Sequence, residues 1–393
     1  MIDKLQDNLT LEEKKILGGI FSEKYYKVAY FSGIAYASSL LLELFEKIGI
    51  LELLKNNYPS SKEIIEKFDF ILGAKYSLEW MLNFLSQAGL LEKTEANKYH
   101  YNKTENINPQ KLLEEVTKID KNIVFSTNLM NYVISEYPNF FSGRKKGFEI
   151  IFAADKMSLW NDYFNNENSG YSAYNSLGAF GVAKWVAGCN NLKLLELGGG
   201  TGGATSALMD RLIKENKSSP ISEYIFSDVS PIFLRIGNRT IMSKNCDCFP
   251  YLLKRLDFDK PLVEQEIAEN SIDIVYAVNA LHAARNLVDS LKNIHKVIKR
   301  GGKIIFCEYC RPNINHLLLQ EFIFCLLDNY MNVDLDCRLR PVPGFLDFPH
   351  WELNLEAAGF KNIEAIFNTD ADSSLDPKIK VGIIAAVIKG EKI

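Results

Sequence analysis

Two side chains have the types and positions expected of an acid–base pair, His282 and Glu308. His282 comes shortly after the apolar run 272–278, and Glu308 ends the run 302–308. A histidine suits proton removal near neutral pH, and a neighbouring carboxylate can fix its tautomer. If the runs are adjacent parallel strands, their ends meet, and we predict that His282 is a general base oriented by Glu308. The alternatives are a structural loop histidine and a carboxylate that only caps the strand.

A glycine-rich segment occupies residues 198–203, between an apolar run and a stretch with the apolar spacing of a helix. Glycine lets the backbone approach a ligand closely, and the N-terminus of a helix offers free N–H groups. The segment therefore predicts a nucleotide-type cofactor site that includes Gly198, Gly200 and Gly202.

The residues around the turn distinguish between two cofactors. Gly198, Gly200 and Gly203 also fit the GxGxxG pattern of NAD sites, which is a weak signal alone. Glu196 lies inside the preceding strand, where an acid can reach the ammonium group of S-adenosylmethionine directly or through water. A dinucleotide has no positive group at that point, so Glu196 favours S-adenosylmethionine.

Two later segments fit the rest of this cofactor. Asp228 ends the next apolar run and can accept hydrogen bonds from ribose hydroxyls, although a helix cap before Pro231 is the alternative. Asp257 can hold the amino edge of adenine while Phe258 covers its face; the alternative for Asp257 is an ordinary loop acid.

The elements that must position these residues alternate from residue 191 onwards. Strands are predicted at 193–197, 223–227, 272–278, 302–307 and 380–388, and helices at 204–216, 231–242, 287–299, 315–331 and 349–358. This pattern predicts a doubly wound, Rossmann-like α/β sheet, in which ligands bind at the carboxyl ends of the strands. All the residues named above fall at those ends.

The chain before this sheet divides into two parts. Helical patterns at 37–54, 62–68 and 77–89, followed by a hairpin around Ala96 and Asn97, predict a winged-helix domain over 1–105. The third helix holds no Lys or Arg over 77–89, which disfavours DNA and favours packing against a second subunit. Residues 106–186 read as a helical linker whose aromatic side chains are either core or pocket wall, and 187–393 form the cofactor domain.

The composition is that of an ordinary globular protein. The 393 residues are 47% hydrophobic and carry a net charge of −4, which disfavours nucleic acid as a partner. We expect no signal peptide and no membrane span, since the N-terminus has no basic segment before an apolar core and no apolar run is long enough to cross a bilayer. No metal is expected either. Seven scattered cysteines read as reduced thiols, which predicts a cytoplasmic location. Cys307-Glu-Tyr-Cys310 is a lone CxxC at a strand end.

The ordered motifs resemble a known family. Residues 196–203, 226–230, 256–261 and 279–283 are similar to motifs of class I methyltransferase domains that C-methylate chains on polyketide synthases. The resemblance covers roughly residues 160–393. It implies S-adenosylmethionine as cofactor, Asn279 among its binding residues, and a catalytic His and Glu at positions 282 and 308. The first 105 residues instead resemble the dimerisation domain of small-molecule O-methyltransferases, which implies a homodimer.

The acceptor atom is left open between oxygen and carbon, with nitrogen behind. Phenol O-methyltransferases carry a second Glu before their final Ala-Gly-Phe, whereas residues 340–347 contain none, which favours carbon. Arg338, Arg340 and Trp351 also resemble the C-methyltransferases and either line the acceptor site or pack. We expect a free-standing enzyme acting on a small natural-product-like acceptor, either free or bound to a carrier protein. An inactive cofactor-binding regulator and an NAD-dependent oxidoreductase are the rival interpretations.

Overall fold

A computed structural model describes residues 9–22, 24–25, 28, 31–101, 108–215, 219–244, 249–368 and 385–393. Its helices are Leu11–Ile20, Ala37–Lys47, Ile50–Asn56, Ser61–Phe68, Ala74–Gln87, Pro109–Ile119, Val124–Phe141, Gly147–Ile151, Met157–Phe164, Ser169–Trp185, Gly203–Glu215, Pro231–Ser243, Leu287–Val297, Glu321–Phe324, Asp328–Met331 and Phe348–Ala357.

The C-terminal half is built on a seven-stranded sheet in the order β5-β4-β3-β6-β7-β9-β8. The strands are β3 (Leu192–Leu197), β4 (Ile221–Asp228), β5 (Tyr251–Arg255), β6 (Ile272–Val278), β7 (Ile298–Tyr309), β8 (Lys361–Phe367) and β9 (Ala385–Glu391). The first five pair in parallel, and β9 lies antiparallel between β7 and β8. The predicted Rossmann-like class is confirmed. The predicted strand at 380–388 begins at Ala385 within the described residues, and 380–384 lie outside them.

The apolar residues of this sheet explain its layers. Its central strands are buried on both faces, as parallel strands covered by helices must be. Ser169–Trp185 and Gly203–Glu215 pack on one face and Leu287–Val297 and Phe348–Ala357 on the other. The crossover order reverses between β3 and β6, so their carboxyl ends form the crevice in which ligands of such sheets bind.

The N-terminal region contains the predicted hairpin, with β1 (Leu91–Lys93) paired antiparallel to β2 (Tyr99–Tyr101). Asn97 has a positive φ of 53°, which a tight turn requires. The prediction of one helix over 37–54 is wrong, because Gly49 adopts a φ of 85° and separates two helices. The winged-helix assignment, the domain boundaries and the homodimer stay predictions.

The predicted third helix packs within the chain. Ala74–Gln87 buries Trp80 and Phe84, and Trp80 stacks against Phe322. Its partner segment was predicted as one helix over 315–331, which is wrong. That stretch holds two short helices, Glu321–Phe324 and Asp328–Met331, separated by a turn. Phe324 on the first short helix and Tyr330 on the second both face the crevice of the sheet.

Candidate active site

The glycine turn after β3 is shaped by close packing. Gly198, Gly200 and Gly202 have φ values of 64°, 55° and 81°, a region that L side chains rarely adopt. A Cβ atom on Gly198 would lie 2.6 Å from the Cβ of Ala280, and one on Gly202 would lie 3.0 Å from the Gly237 carbonyl oxygen. The turn therefore leaves a backbone cradle where the next helix begins.

A cavity of about 280 Å³ opens at the carboxyl ends of β3, β4 and β6. Its wall includes the glycine turn, the Asp228 carboxylate and a set of aromatic rings. The residues that line it and were predicted as site residues are Gly198, Gly200, Asp228, Phe258, Asn279 and His282. Besides Phe258, the aromatic lining consists of Tyr163, Phe164, Tyr171, Phe233, Tyr309, Phe324, Tyr330 and Phe345.

His282 and Glu308 meet as the predicted strand order requires. Val278 pairs with Cys307 across β6 and β7, so the residues just beyond β6 lie beside Glu308. His282 Nδ1 lies 2.8 Å from Glu308 Oε2 in a buried contact. Glu308 Oε1 accepts the backbone N–H groups of Ala280, Leu281 and His282 at 3.1, 2.8 and 3.3 Å. The carboxylate thus both bonds the ring and caps the strand end. The cap, which the sequence offered as an alternative to pairing with His282, is present together with that pairing.

Arg340 supports the same loop from its other side. Its guanidinium donates to the backbone oxygens of His282, Ala284 and Arg285 and is almost fully buried. Burial lowers the pKa of Arg340 to about 10, so the group stays charged at neutral pH. Neither Arg340, Arg338 nor Trp351 lines the cavity; Arg338 is exposed and Trp351 is buried in the core.

Asp228 lies at the cavity wall and is also a backbone acceptor. Its carboxylate accepts N–H groups from Gly200 at 3.0 Å and from Ser230 at 2.8 Å. Burial raises the pKa of Asp228, and those backbone donors oppose the rise. The helix before which it stands is capped by Ser230, not by Asp228. Asp228 therefore fixes the glycine turn and keeps lone pairs that can face a ligand.

Three predicted binding residues lie outside the cavity lining. Glu196 accepts hydrogen bonds from the hydroxyls of Thr205 and Tyr224, and burial raises its pKa to about 7. Asp257 pairs with Lys260 at 3.1 Å, and Gly202 packs against Gly237. Direct contact of these residues with a cofactor stays a prediction. Phe258, which follows Asp257, does reach the cavity.

Phe324, Tyr330 and Phe345 line the cavity beside His282 and were not predicted from the sequence. The Phe345 ring centroid lies 4.0 Å from that of His282, and those of Tyr330 and Phe324 lie 6.3 and 6.4 Å from it. They lie on helices of four residues or on irregular segments. Such segments are too short for an apolar periodicity that would predict which way each side chain points. Tyr163, Phe164 and Tyr171 belong to the aromatic group for which core and pocket remained open, and they line the cavity.

The described residues also bear on metal sites, membrane spans and reactive thiols. No group of three or more His, Cys, Asp or Glu side chains in that part of the chain is placed to hold a metal. None of the described helices is long and apolar enough to cross a membrane. Cys307 and Cys310 are buried free thiols, and burial raises the pKa of each, which disfavours a reactive thiolate.

Comparison with known proteins identifies the fold that holds this site. A family model described as a methyltransferase domain matches residues 195–304. Residues 195–304 are therefore a methyltransferase domain. The solved structure of the CurJ carbon methyltransferase matches with a TM-score of 0.78 at 15% identity, over 99% of each chain. That match includes the N-terminal region, so the fold of its described residues also occurs in a carbon methyltransferase.

Curated relatives point to the same class. Polyketide synthase PksR of Bacillus subtilis (strain 168) is 27% identical over 283 residues, which are 70% of this chain and 10% of that protein. Methyltransferase calH of Penicillium decumbens is 28% identical over 231 residues, 58% of each chain. The chain thus spans about a tenth of the length of PksR. Class I methyltransferases take their methyl group from S-adenosylmethionine, which is therefore the cofactor of this domain.

The residues present fit that cofactor. The glycine cradle, the Asp228 carboxylate and Phe258 line one continuous cavity, which offers acceptors, backbone donors and an apolar cover. Asn279 lines it as well, and its buried Nδ2 has no hydrogen-bond partner among the described residues. A buried amide donor without a partner is costly, so Asn279 is suited to a ligand oxygen.

Proposed function

We propose that this protein methylates the carbon between the two carbonyl groups of a β-keto acyl chain. The observation that carries the proposal is the His282–Glu308 pair at the edge of the cofactor cavity. A carbon flanked by two carbonyls loses a proton more readily than an ordinary C–H group, and an imidazole can remove it. The likeness to polyketide synthases and to carbon methyltransferases supports this acceptor class.

In the proposed reaction one atom receives the proton. Because Nδ1 of His282 donates to Glu308, the ring presents Nε2 as its free acceptor, and no described residue bonds Nε2. His282 Nε2 takes the proton from the acceptor carbon, and the Glu308 carboxylate stabilises the imidazolium that results. S-adenosylmethionine, when bound, supplies an electrophilic methyl group for the carbanion. The aromatic wall excludes water from the reacting carbon and orients it.

The carbon acceptor is favoured over a phenol by what surrounds His282. Asp228 is the one carboxylate among the described residues that line the cavity, and it stands at the glycine turn. The segment 340–347 supplies Phe345 to the wall, while its Asp347 bonds His350 instead. No second acid therefore assists His282 within this lining, which suits an already acidic carbon.

A panel of acceptors tests the proposal. The full chain is incubated with S-adenosylmethionine and one of three acceptors: a β-ketoacyl thioester of N-acetylcysteamine, a catechol or a primary amine. Release of S-adenosylhomocysteine is then followed. We expect turnover with the thioester above both others. Preferred turnover of the catechol would replace the proposal with O-methylation. Whether the natural acceptor is free or carrier-bound is tested by presenting the same acyl group on an acyl carrier protein.

A further inference from the structure

A second, smaller cavity of about 70 Å³ adjoins the first. The two cavities share Tyr163, Tyr171 and Tyr309 in their linings, so they meet at this tyrosine wall. Tyr309 lies close to the base: the Phe345 ring centroid is 5.3 Å from that of Tyr309 and 4.0 Å from that of His282. One aromatic ring therefore separates His282 from the tyrosine that opens onto the second cavity.

The lining of the second cavity is mostly apolar and carries no formal charge. None of the lining residues that the structure describes is Lys, Arg, Asp or Glu, and His316 is hydrogen-bonded to Gln87. Its apolar side chains include Phe84, Ile123, Met130, Leu317, Leu319 and Ile323, and its uncharged polar ones include Gln87, Ser126, Asn168 and Gln320. Since a water molecule needs about 10–15 Å³ of such volume, the cavity has room for roughly five groups of that size. An uncharged chain of a few carbon atoms fits this space.

One short helix connects the two cavities. In Glu321–Phe324, Phe324 lines the main cavity and Ile323 lines the second. Glu321 anchors this helix, because its carboxylate accepts from Trp80 Nε1 at 3.2 Å, Arg311 Nη2 at 2.5 Å and the Tyr330 hydroxyl at 3.2 Å. The walls of both cavities are thus held by one buried carboxylate.

We propose that the second cavity binds the apolar acyl tail of the acceptor while the carbon to be methylated lies beside His282. This inference rests on the proposed function and adds a substrate class, a β-keto acyl chain with a saturated tail of a few carbons beyond the β-carbonyl. Charged tails are excluded by the uncharged lining, since burying a charge without a partner is costly.

Binding without the methyl donor tests the inference separately from catalysis. Calorimetry with the full chain gives Kd for two N-acetylcysteamine thioesters, acetoacetyl and β-ketooctanoyl, in the absence of S-adenosylmethionine. Each added methylene that becomes buried should tighten binding about fourfold. We expect the longer tail to bind much more tightly. Equal affinities in the wild-type protein would overturn the inference.

Gly170 offers a way to fill the cavity. It lines the second cavity but not the first, and a Cβ atom there would meet only Asn168 Oδ1, at 3.6 Å. Gly170→Leu should remove most of the gain from the longer tail. Gly19→Leu is the matched control, since Gly19 is exposed, lies in a helix and has nothing within 4 Å of its Cβ position. The same tail dependence in both variants would overturn the inference.

A second variant guards against misfolding of the first. Ile323→Ala enlarges the cavity and should move the tightest binding to a tail longer by one or two methylene groups, because the space left by the side chain is filled. An unchanged optimum would count against the inference. Adding S-adenosylmethionine to the same samples tests the other proposal: tail-dependent binding without methyl transfer supports the acyl site and refutes the proposed reaction.

Discussion

Glu308 holds both the ring and the main chain of His282. One carboxylate oxygen lies 2.8 Å from Nδ1 of the imidazole, and the other accepts the backbone N–H of His282 and of the two residues before it. Both oxygens of a fully buried carboxylate are therefore used. The arrangement leaves Nε2 as the ring atom that can accept a proton from a ligand in the cavity.

Replacing His282 tests its role as base. His282→Ala should lower kcat by about 10²–10⁴-fold, the range general-base catalysis supplies, while the Kd of S-adenosylmethionine stays within a few-fold. Steady-state turnover and calorimetry measure the two quantities. His100→Ala is the control, because His100 lies in the hairpin and bonds the Asn57 carbonyl. Turnover of His282→Ala above a tenth of wild type would show that another group removes the proton.

Glu308→Gln tests tautomer control. A glutamine can still accept the three backbone N–H groups through its oxygen, so its amide N–H₂ would face Nδ1 of His282. The ring would then carry its proton on Nε2 and lose its acceptor, so kcat should fall by as much as about 10⁴-fold. The cofactor Kd and the thermal unfolding midpoint serve as checks on folding. Wild-type turnover in a folded Glu308→Gln protein would contradict the assignment of Glu308 as orienter.

Arg340 should act as a positioning residue for the loop that carries His282. Arg340→Lys keeps a charge but cannot reach all three carbonyl oxygens, so the imidazole should shift and kcat should fall about 10- to 100-fold. The acceptor KM and the cofactor Kd should change little. Arg338→Lys, at an exposed arginine nearby, is the matched control. A parallel loss of cofactor affinity in Arg340→Lys would indicate a general structural role instead.

Glu196 predicts a pH dependence of stability. The pKa of Glu196 is about 7 in the folded protein, above the ordinary 4.5. The fold therefore favours the protonated side chain, and the stability that this contributes is fully present below pH 4.5. This stability is lost as the pH rises through about 7. Glu196→Gln removes the ionisation, so it should gain about 2–3 kcal/mol over wild type between pH 5 and pH 8. Urea unfolding at both pH values measures it, with Glu223→Gln as control. A pH-independent difference would contradict the raised pKa.

Much of the fold could be predicted from the sequence, since the central strands are continuous apolar runs bounded by glycine turns. The predicted fold class places β6 beside β7, and their pairing brings His282 into contact with Glu308. The pattern failed where packing decides. Gly49, in the left-handed region, separates two helices. The predicted helix over 315–331 is replaced by the short helices Glu321–Phe324 and Asp328–Met331, the first of them anchored by the Glu321 carboxylate.

The cofactor residues show the same division. Asp228 and Phe258 reach the cavity as expected, whereas the Glu196 carboxylate turns to Thr205 and Tyr224. A strand residue's face depends on register, and a register shift of one residue reverses every side chain. The sequence could not report which hydroxyls would lie beside Glu196.

The site of methylation is the most direct test of the central claim. The wild-type protein is incubated with a β-ketoacyl thioester and S-adenosylmethionine labelled with ¹³C in its methyl group, and the product is analysed by NMR. We predict the label on the carbon between the two carbonyls, coupled to its single remaining proton, and formation of this product at least about 100-fold more slowly by His282→Ala. A label on oxygen, or transfer that does not depend on His282, would contradict C-methylation by the His282–Glu308 pair.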